Sequence, residues 1–212
     1  MQIAADIREA YSVTFAWRAR TSVPLKIAMA LIMAVVTGLL AQIRLPLPFT
    51  PVPVTGQTMA VLMTGVLLGR KWGGVSLGIY GLLGLVGIPW LNGGVAGLGA
   101  TTGYLGGFVL AALFVGYCTD SGKVRSLYGL FAIMVFASLV LVYLPGMLWL
   151  GGWLGLVTHE PTTVGTVLGL GIWPFMAGDI LKSALAAGAA WLILPKQPLS
   201  LTDKVLLGAK RS

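Results

Sequence analysis

Two opposite charges lie three residues apart in a part of the chain that is otherwise almost wholly apolar. Asp179 and Lys182 belong to the stretch GIWPFMAGDILKSALAAGAAW, residues 171–191. Residues at positions i and i+3 of a helix share one face, so the two side chains can meet. A charge near the middle of a bilayer costs on the order of 3 kcal/mol even on the mildest insertion scale. Such a pair therefore needs a functional or a structural reason.

Three kinds of chemistry fit an acid and an amine at this position. In a ligand site, Lys182 would attract an anionic group and Asp179 would accept hydrogen bonds from ligand N–H donors. In a structural pair, the charges would neutralise each other and hold the helices together. In a proton relay, Asp179 would carry the proton, although relays usually contain further acids or histidines. Asp179 is the only acid in any predicted span, which disfavours a relay. The predicted place of the pair near the outer face, beneath three irregular loops, favours the ligand site over the structural pair.

The composition is that of an all-α integral membrane protein. Of the 212 residues, 57% are hydrophobic and only 9% are charged, whereas soluble domains contain roughly 25% charged residues. A hydrocarbon core of about 30 Å requires roughly 17–25 apolar residues per helix. The sequence predicts six transmembrane helices, near residues 24–43, 54–69, 72–89, 101–118, 126–148 and 170–194.

The basic residues predict the orientation in the membrane. Two of the fourteen are Arg44 and Lys182, and the other twelve fall at the ends of the chain and in alternate connections: Arg8, Arg18, Arg20, Lys26, Arg70, Lys71, Lys123, Arg125, Lys196, Lys204, Lys210 and Arg211. Lys and Arg concentrate on the cytoplasmic side of membrane proteins, so both termini are predicted to be cytoplasmic. The localisation predicted is the cell membrane, with multiple crossings.

This orientation divides the chain into three predicted parts. Residues 1–23 form an N-terminal segment, either an amphipathic helix at the membrane interface or a solvated tail. Residues 24–195 form the membrane domain, and residues 196–212 form a basic cytoplasmic tail.

The predicted outer connections are rich in Pro, Gly and aromatic residues. RLPLPFTPVPVTGQ, residues 44–57, contains four prolines, which remove backbone donors and favour an extended chain. Residues 87–104 and 145–165 are predicted to be the other two outer loops. Irregular backbone at membrane depth is tolerated mainly where protein or a cavity satisfies it, so the outer face is the predicted place for a site.

Several polar and aromatic side chains could converge on the charged pair there. The last helix is predicted over 174–194, with Pro174 in its first turn, where a missing N–H costs little. Aromatic walls are expected from Trp90, Tyr104 and Trp173. The candidate polar groups are Thr55, Gln57, Thr58, Asn92, Thr101, Thr102 and Tyr104. Each alone fits a helix cap or an interface hydrogen bond, but together they describe a ligand pocket.

Other chemistries have little support in the sequence. One cysteine, Cys118, and one histidine, His159, exclude an internal disulfide and a multi-ligand His/Cys metal site. No GxxxxGK[ST] motif for ATP is present. The sequence therefore predicts no metal, no cofactor, no nucleic-acid partner and no enzymatic activity of its own.

The first predicted helix carries small residues at a spacing of four. Ala30 and Ala34 lie in KIAMALIMAVVTGLLAQI, with Gly38 one turn further on. Small residues at this spacing let helices approach closely. Two interpretations remain open, namely packing inside this chain and docking to another membrane subunit.

Four stretches resemble the BioY family, the biotin-specific S components of energy-coupling factor (ECF) transporters. They are LAQIRLPLPFTPVPVTGQTMAVLMTGVLLG (40–69), GIYGLLGLVGIPWLNGG (78–94), TTGYLGGFVLAALFVGY (101–117) and AGDILKSALAA (177–187). The resemblance spans most of the membrane domain.

The resemblance implies a function and a site. It implies capture of biotin from outside, a transmembrane coupling subunit and two ABC-type ATPases as partners, and use of ATP by those partners alone. Asp179 and Lys182 would be the biotin-binding pair, and Asn92, Gln57 and Tyr104 would be further contacts. Ala30 and Ala34 would face the coupling subunit.

Two rival functions remain from the residues alone. One is a stand-alone secondary transporter of a small anionic solute, coupled to protons through Asp179. The other is a structural membrane subunit whose Asp179–Lys182 pair only stabilises the fold.

Overall fold

The fold is a bundle of apolar helices in a computed structural model that describes residues 21–91, 96–120, 124–158 and 162–194. The elements in chain order are α1 (Val23–Gln42), β1 (Arg44–Leu45), β2 (Val54–Thr55), α2 (Gln57–Val86), α3 (Thr102–Asp120), α4 (Leu127–Phe136), a π-helical segment (Ala137–Val142), α5 (Tyr143–Thr158), α6 (Val164–Gly171) and α7 (Met176–Ile193). The predicted segments 1–20 and 196–212 lie outside the described residues.

Four helical runs of the described chain are long and apolar enough to cross a membrane. They are α1, α3, the run Leu127–Val157 and α7. Most of the predicted second span, 54–69, and of the third, 72–89, falls within α2. This helix bends at Gly69, whose φ of 76° is left-handed and is adopted readily by glycine. The sequence located the break between these two spans correctly to within about two residues.

The bend in α2 is held against the end of α3. A Cβ on Gly116 would lie 2.6 Å from the carbonyl carbon of Gly69, so only a glycine allows this approach. The backbone N–H of Arg70 donates to Asp120 Oδ2 at 2.8 Å. Since the bend leaves Arg70 outside the regular hydrogen-bond pattern of the helix, this carboxylate supplies an acceptor that the backbone lacks.

The small-residue face of α1 is used inside the chain. Ala30 and Ala34 are both fully buried, and the Ser76 hydroxyl of α2 donates to the Ala30 carbonyl at 2.7 Å. In this conformation the two alanines present no surface to a partner, so the structure supports the internal-packing interpretation. Most of the exposed side chains of α1 are large and apolar, as membrane contact requires: Val23, Leu25, Ile27, Leu31, Ile32, Val35 and Leu39.

The predicted loop over residues 145–165 is wrong for most of its length. Helical structure runs without a break from Leu127 to Thr158, and it continues through Pro145. Proline removes one backbone donor, but neighbouring structure and local π-type geometry can absorb that loss in a membrane helix. The π-helical segment just before Tyr143 provides such geometry, so the helix does not end at the proline.

The last helix begins later than predicted. Residues 172–175 form a turn, in which Phe175 N–H donates to the Ile172 carbonyl at 2.9 Å. Pro174 lies in this turn and not in the helix, which starts at Met176. The residues before the turn belong to the separate short helix α6. Both helices are apolar, so composition alone does not reveal the reversal between them.

Two glycines bring α3 very close to the helix that follows the π-helical segment. A Cβ on Gly107 would lie 2.6 Å from Val142 Cα, and a Cβ on Gly103 would lie 2.6 Å from the Pro145 carbonyl oxygen. The glycines are four residues apart, as in a GxxxG helix-packing motif. Backbone atoms of the two helices therefore pack directly against each other beside the site.

Candidate functional site

The predicted charged pair is formed. Lys182 Nζ lies 2.8 Å from Asp179 Oδ1. Asp179 occupies the first turn of α7, where the positive end of the helix dipole stabilises a carboxylate. Only 6% of the Asp179 side chain is exposed, against 19% for Lys182. The amine is therefore the more accessible of the two charged groups, and both line one cavity.

Tyr143, which no sequence pattern marks, completes the environment of the acid. Its hydroxyl donates to Asp179 Oδ2 at 2.5 Å, so each carboxylate oxygen has one protein donor. Tyr143 is buried and begins α5, 36 residues before its partner. A tyrosine in an apolar span carries no local signal of this contact.

The pair opens into a cavity shared by several helices. Gln57 and Tyr104 line the same cavity as Asp179 and Lys182. Asn92 lies outside the described residues. The remaining walls are mostly apolar and aromatic, with three threonines: Ala41, Val52, Pro53, Thr55, Thr58, Trp90, Leu91, Thr101, Leu105, Phe108, Val142, Tyr143 and Phe175. An apolar cavity with a few convergent polar groups is the usual form of a small-molecule site.

Gln57 is the first residue of α2 and lines this cavity. Both the oxygen and the nitrogen of its side-chain amide form hydrogen bonds. Thr55 Oγ1 donates to Gln57 Oε1 at 2.7 Å, and Gln57 Nε2 donates to Tyr80 Oη at 2.6 Å. Gln57 thus connects the β1–β2 hairpin to a buried tyrosine of α2. One amide hydrogen and one carbonyl lone pair remain for a further partner.

The proline-rich segment between β1 and β2 closes over this end of the bundle. Arg44 pairs with Thr55 in an antiparallel register, and the Thr50 hydroxyl donates to the Leu170 carbonyl of α6 at 2.6 Å. Val52 and Pro53 from this segment line the cavity. The prediction that residues 44–57 are not helical before Gln57 is confirmed, but the continuous extended course is wrong: only Arg44–Leu45 and Val54–Thr55 are strands, and the chain turns back between them.

Tyr104 stands beside Tyr143 on the cavity wall. The two rings meet edge to face, with centroids 6.5 Å apart, a favourable aromatic geometry. The Tyr104 hydroxyl donates to the Gly171 carbonyl at 3.0 Å, which ties α3 to the end of α6. Its oxygen can still accept a hydrogen bond from a ligand.

The other two rings predicted to line the cavity are Trp90 and Trp173. The prediction is confirmed for Trp90 and wrong for Trp173. Trp90 lines the cavity, and its ring nitrogen donates to the Tyr80 carbonyl at 3.2 Å. Trp173 is 63% exposed and points away, because it belongs to the turn and not to α7. Phe175, two residues later in the same turn, lines the cavity in its place.

The Trp90 ring is seated against two glycines, which gives a test of its role. A Cβ on Gly38 would overlap the ring, and a Cβ on Gly84 would lie 2.7 Å from Trp90 Nε1. We expect Gly38→Ala to displace the ring and weaken ligand binding about tenfold, with a loss of about 1–3 kcal/mol in the free energy of unfolding from overpacking. Ligand titration and thermal unfolding measure the two effects.

Gly78→Ala is the matched control for this substitution. Gly78 is also a glycine within a helix, and its added Cβ would meet nothing within 4 Å. Unchanged binding in both variants would show that the position of Trp90 does not matter for the ligand.

The sequence model of the BioY family matches residues 13–198, which is most of the chain. This chain belongs to the BioY family. Two curated relatives match over 90% and 92% of their own length. The protein of Methanothermobacter thermautotrophicus, named "Probable biotin transporter BioY", is 42% identical over 64% of this chain and 90% of its own. "Biotin transporter BioY" of Rhizobium etli is 30% identical over 80% of this chain and 92% of its own.

A solved structure shares the fold. It is the crystal structure of the S-component for biotin from an ECF-type ABC transporter, with a TM-score of 0.67 and 25% sequence identity. The match covers 78% of this chain and 88% of the other. The fold and the BioY family membership therefore agree, and each is drawn from a different comparison.

Proposed function

We propose that this protein captures biotin at the cell membrane and acts as the S component of an ECF-type transporter that imports it. The observation that carries the proposal is the buried Asp179–Lys182 pair at the end of an apolar cavity. BioY family membership and the likeness to a biotin S component support it. The protein is a membrane transport component and not an enzyme.

Biotin has the chemistry that such a cavity can hold. Its ureido ring offers two N–H donors and one carbonyl, its bicycle can pack on aromatic rings, and its valerate tail ends in a carboxylate. In the proposed complex, Asp179 accepts from a ureido N–H, and Lys182 donates to the carbonyl or to the carboxylate. Gln57, Tyr104 and Asn92 are proposed as further contacts.

The proposed arrangement in the membrane has six crossings and cytoplasmic termini. The two halves of α2 on either side of Gly69 would supply the second and third crossings. Arg70 would then lie at the cytoplasmic surface, as the distribution of basic residues favours. The cavity would open at the opposite, outer end of the bundle, where biotin arrives.

The proposed partners are a transmembrane coupling subunit and two ABC-type ATPases. The chain carries no P-loop motif, so the energy for transport would come from ATP hydrolysis in those subunits. Ala30 and Ala34 are the proposed docking residues for the coupling subunit; both are buried in this conformation, so docking through them would require α1 to move.

Calorimetric titration of biotin into the detergent-solubilised protein tests the proposal. We expect tight one-to-one binding, because the cavity supplies both apolar walls and a paired acid and amine. Folded protein that releases no heat and gains no thermal stability with biotin would contradict it. Uptake by partner-free proteoliposomes that follows a pH gradient would instead favour a proton-coupled transporter.

A further inference from the structure

The helix that carries Tyr143 changes its winding just before this residue. Ala137–Val142 is π-helical, whereas α4 before it and α5 after it are α-helical. One residue added to a helical turn rotates every later side chain by about 100°. Tyr143 is the first residue after the change, so its direction depends directly on the π-helical segment.

The sequence offers a local cause for this change of winding. Pro145 has no N–H, so the carbonyl four residues earlier, that of Leu141, loses its usual helical donor. The backbone of Leu141 and Val142 lies against Gly107 of α3, where an added Cβ would come within 2.8 Å of the Leu141 oxygen. The proline and the glycine contact together favour the π-helical winding at this level of the bundle.

The result of the winding is a buried contact with the acid of the site. The Tyr143 hydroxyl reaches Asp179 Oδ2, while Lys182 holds Oδ1. A carboxylate in a poorly hydrated setting requires donors for both oxygens. Lys182 alone would leave one oxygen unsatisfied and the carboxylate free to rotate about its bond to Cβ.

We propose that Tyr143 is a positioning residue, which fixes the Asp179 carboxylate in the orientation that a ligand N–H meets. The π-helical segment turns the Tyr143 side chain toward Asp179. Tyr143 acts through Asp179, and its contribution to affinity depends on the presence of that acid. The contribution of Tyr143 to biotin affinity rests on the proposed function. The energetic coupling between Tyr143 and Asp179 does not.

A double-mutant cycle tests the proposal. Tyr143→Phe keeps the ring that packs against Tyr104 and removes only the hydroxyl, so the variant is expected to fold. We expect it to weaken biotin binding about tenfold in the otherwise unchanged protein, the order expected for a hydrogen bond to a charged group. In an Asp179→Ala background the same substitution is expected to weaken binding less than twofold.

Tyr104→Phe is the matched control. It removes a hydroxyl from the neighbouring ring, but that hydroxyl donates to the Gly171 carbonyl and not to Asp179. Its effect on affinity is expected to be the same in both backgrounds. An equal penalty for Tyr143→Phe in both backgrounds, or no penalty at all, would overturn the proposal.

Thermal unfolding without biotin separates this proposal from the proposed function. Tyr143→Phe is expected to lower the Tm in the presence of Asp179 and to leave it unchanged when Asp179 is replaced by Ala. If the unmodified protein does not bind biotin, the function fails, and this ligand-free comparison still decides the coupling. Equal shifts in Tm in both backgrounds would show that Tyr143 has no specific link to the acid.

Discussion

Asp179→Asn should weaken biotin binding by at least about a hundredfold, the largest loss expected at any single position of the site. The substitution removes the charge that pairs with Lys182 at 2.8 Å, and it leaves one acceptor oxygen for two donors, the Lys182 amine and the Tyr143 hydroxyl. It also leaves Lys182 without its counter-charge in a poorly hydrated cavity. Removing one partner of a buried ion pair typically costs about 3–5 kcal/mol, so the free energy of unfolding should fall as well.

A second variant separates binding from stability. In Asp179→Asn/Lys182→Met neither charge remains, and removing both members of a buried pair is often neutral for stability. We expect the Tm of this double variant to return toward that of the unmodified protein, while biotin binding stays lost. Calorimetric titration and thermal unfolding of the three proteins measure both quantities.

The structural rival makes the opposite prediction for the ligand. If the pair only stabilised the fold, biotin would not raise the Tm of the unmodified protein, and the double variant would behave like it in every assay. A control substitution is available at Asp120, whose carboxylate accepts from the Arg70 N–H at the other end of α3. Asp120→Asn keeps an acceptor oxygen there and is expected to leave biotin binding unchanged.

Gly107→Ala should disrupt both the bundle and the site, although it adds only one methyl group. The new Cβ would lie 2.6 Å from Val142 Cα and 2.8 Å from the Leu141 carbonyl oxygen. These are backbone atoms, which cannot move aside as a side-chain tip can. Overpacking of this kind costs about 1–3 kcal/mol, and the displaced Val142 directly precedes Tyr143. We therefore expect lower thermal stability together with at least tenfold weaker binding.

The adjacent glycine provides the control for this prediction. Gly106 is on the exposed side of α3, and a Cβ there would meet nothing within 4 Å. Gly106→Ala is expected to retain binding and to be neutral or stabilising, because alanine is the better helix former by about 1 kcal/mol. Equal behaviour of the two variants in titration and thermal unfolding would show that the close contact between α3 and the π-helical segment is unimportant.

Much of the site could be predicted because its signals are local. The i, i+3 spacing of Asp179 and Lys182 determines that they share a helix face, whatever surrounds the helix. The prolines of residues 44–57 exclude a helix there in the same local way, but they do not reveal that the segment turns back on itself as a hairpin. Gln57 and Tyr104 were predicted from their place at the outer ends of apolar runs, and they line the cavity in the structure.

The errors have a common physical origin. The local preferences of proline predict the end of a helix at Pro145 and the first turn of a helix at Pro174. In each case the surrounding structure overrides that preference. The π-helical segment lets the helix continue past Pro145, and the turn between α6 and α7 takes up Pro174. A similar limit applies to Ala30 and Ala34, since a small-residue face favours close packing without saying which helix it meets.

The amino-acid sequence is sufficient to establish that this is a membrane protein, where its basic residues concentrate, and that an acid and an amine meet on its last helix. These properties follow from composition and from helical periodicity, which depend only on neighbouring residues. The tertiary structure alone decided that Tyr143 holds Asp179, that Trp90 is seated on Gly38 and Gly84, and that Trp173 is outside the cavity. Those contacts join residues far apart in the chain, so they depend on how the helices pack and not on the pattern within any one helix.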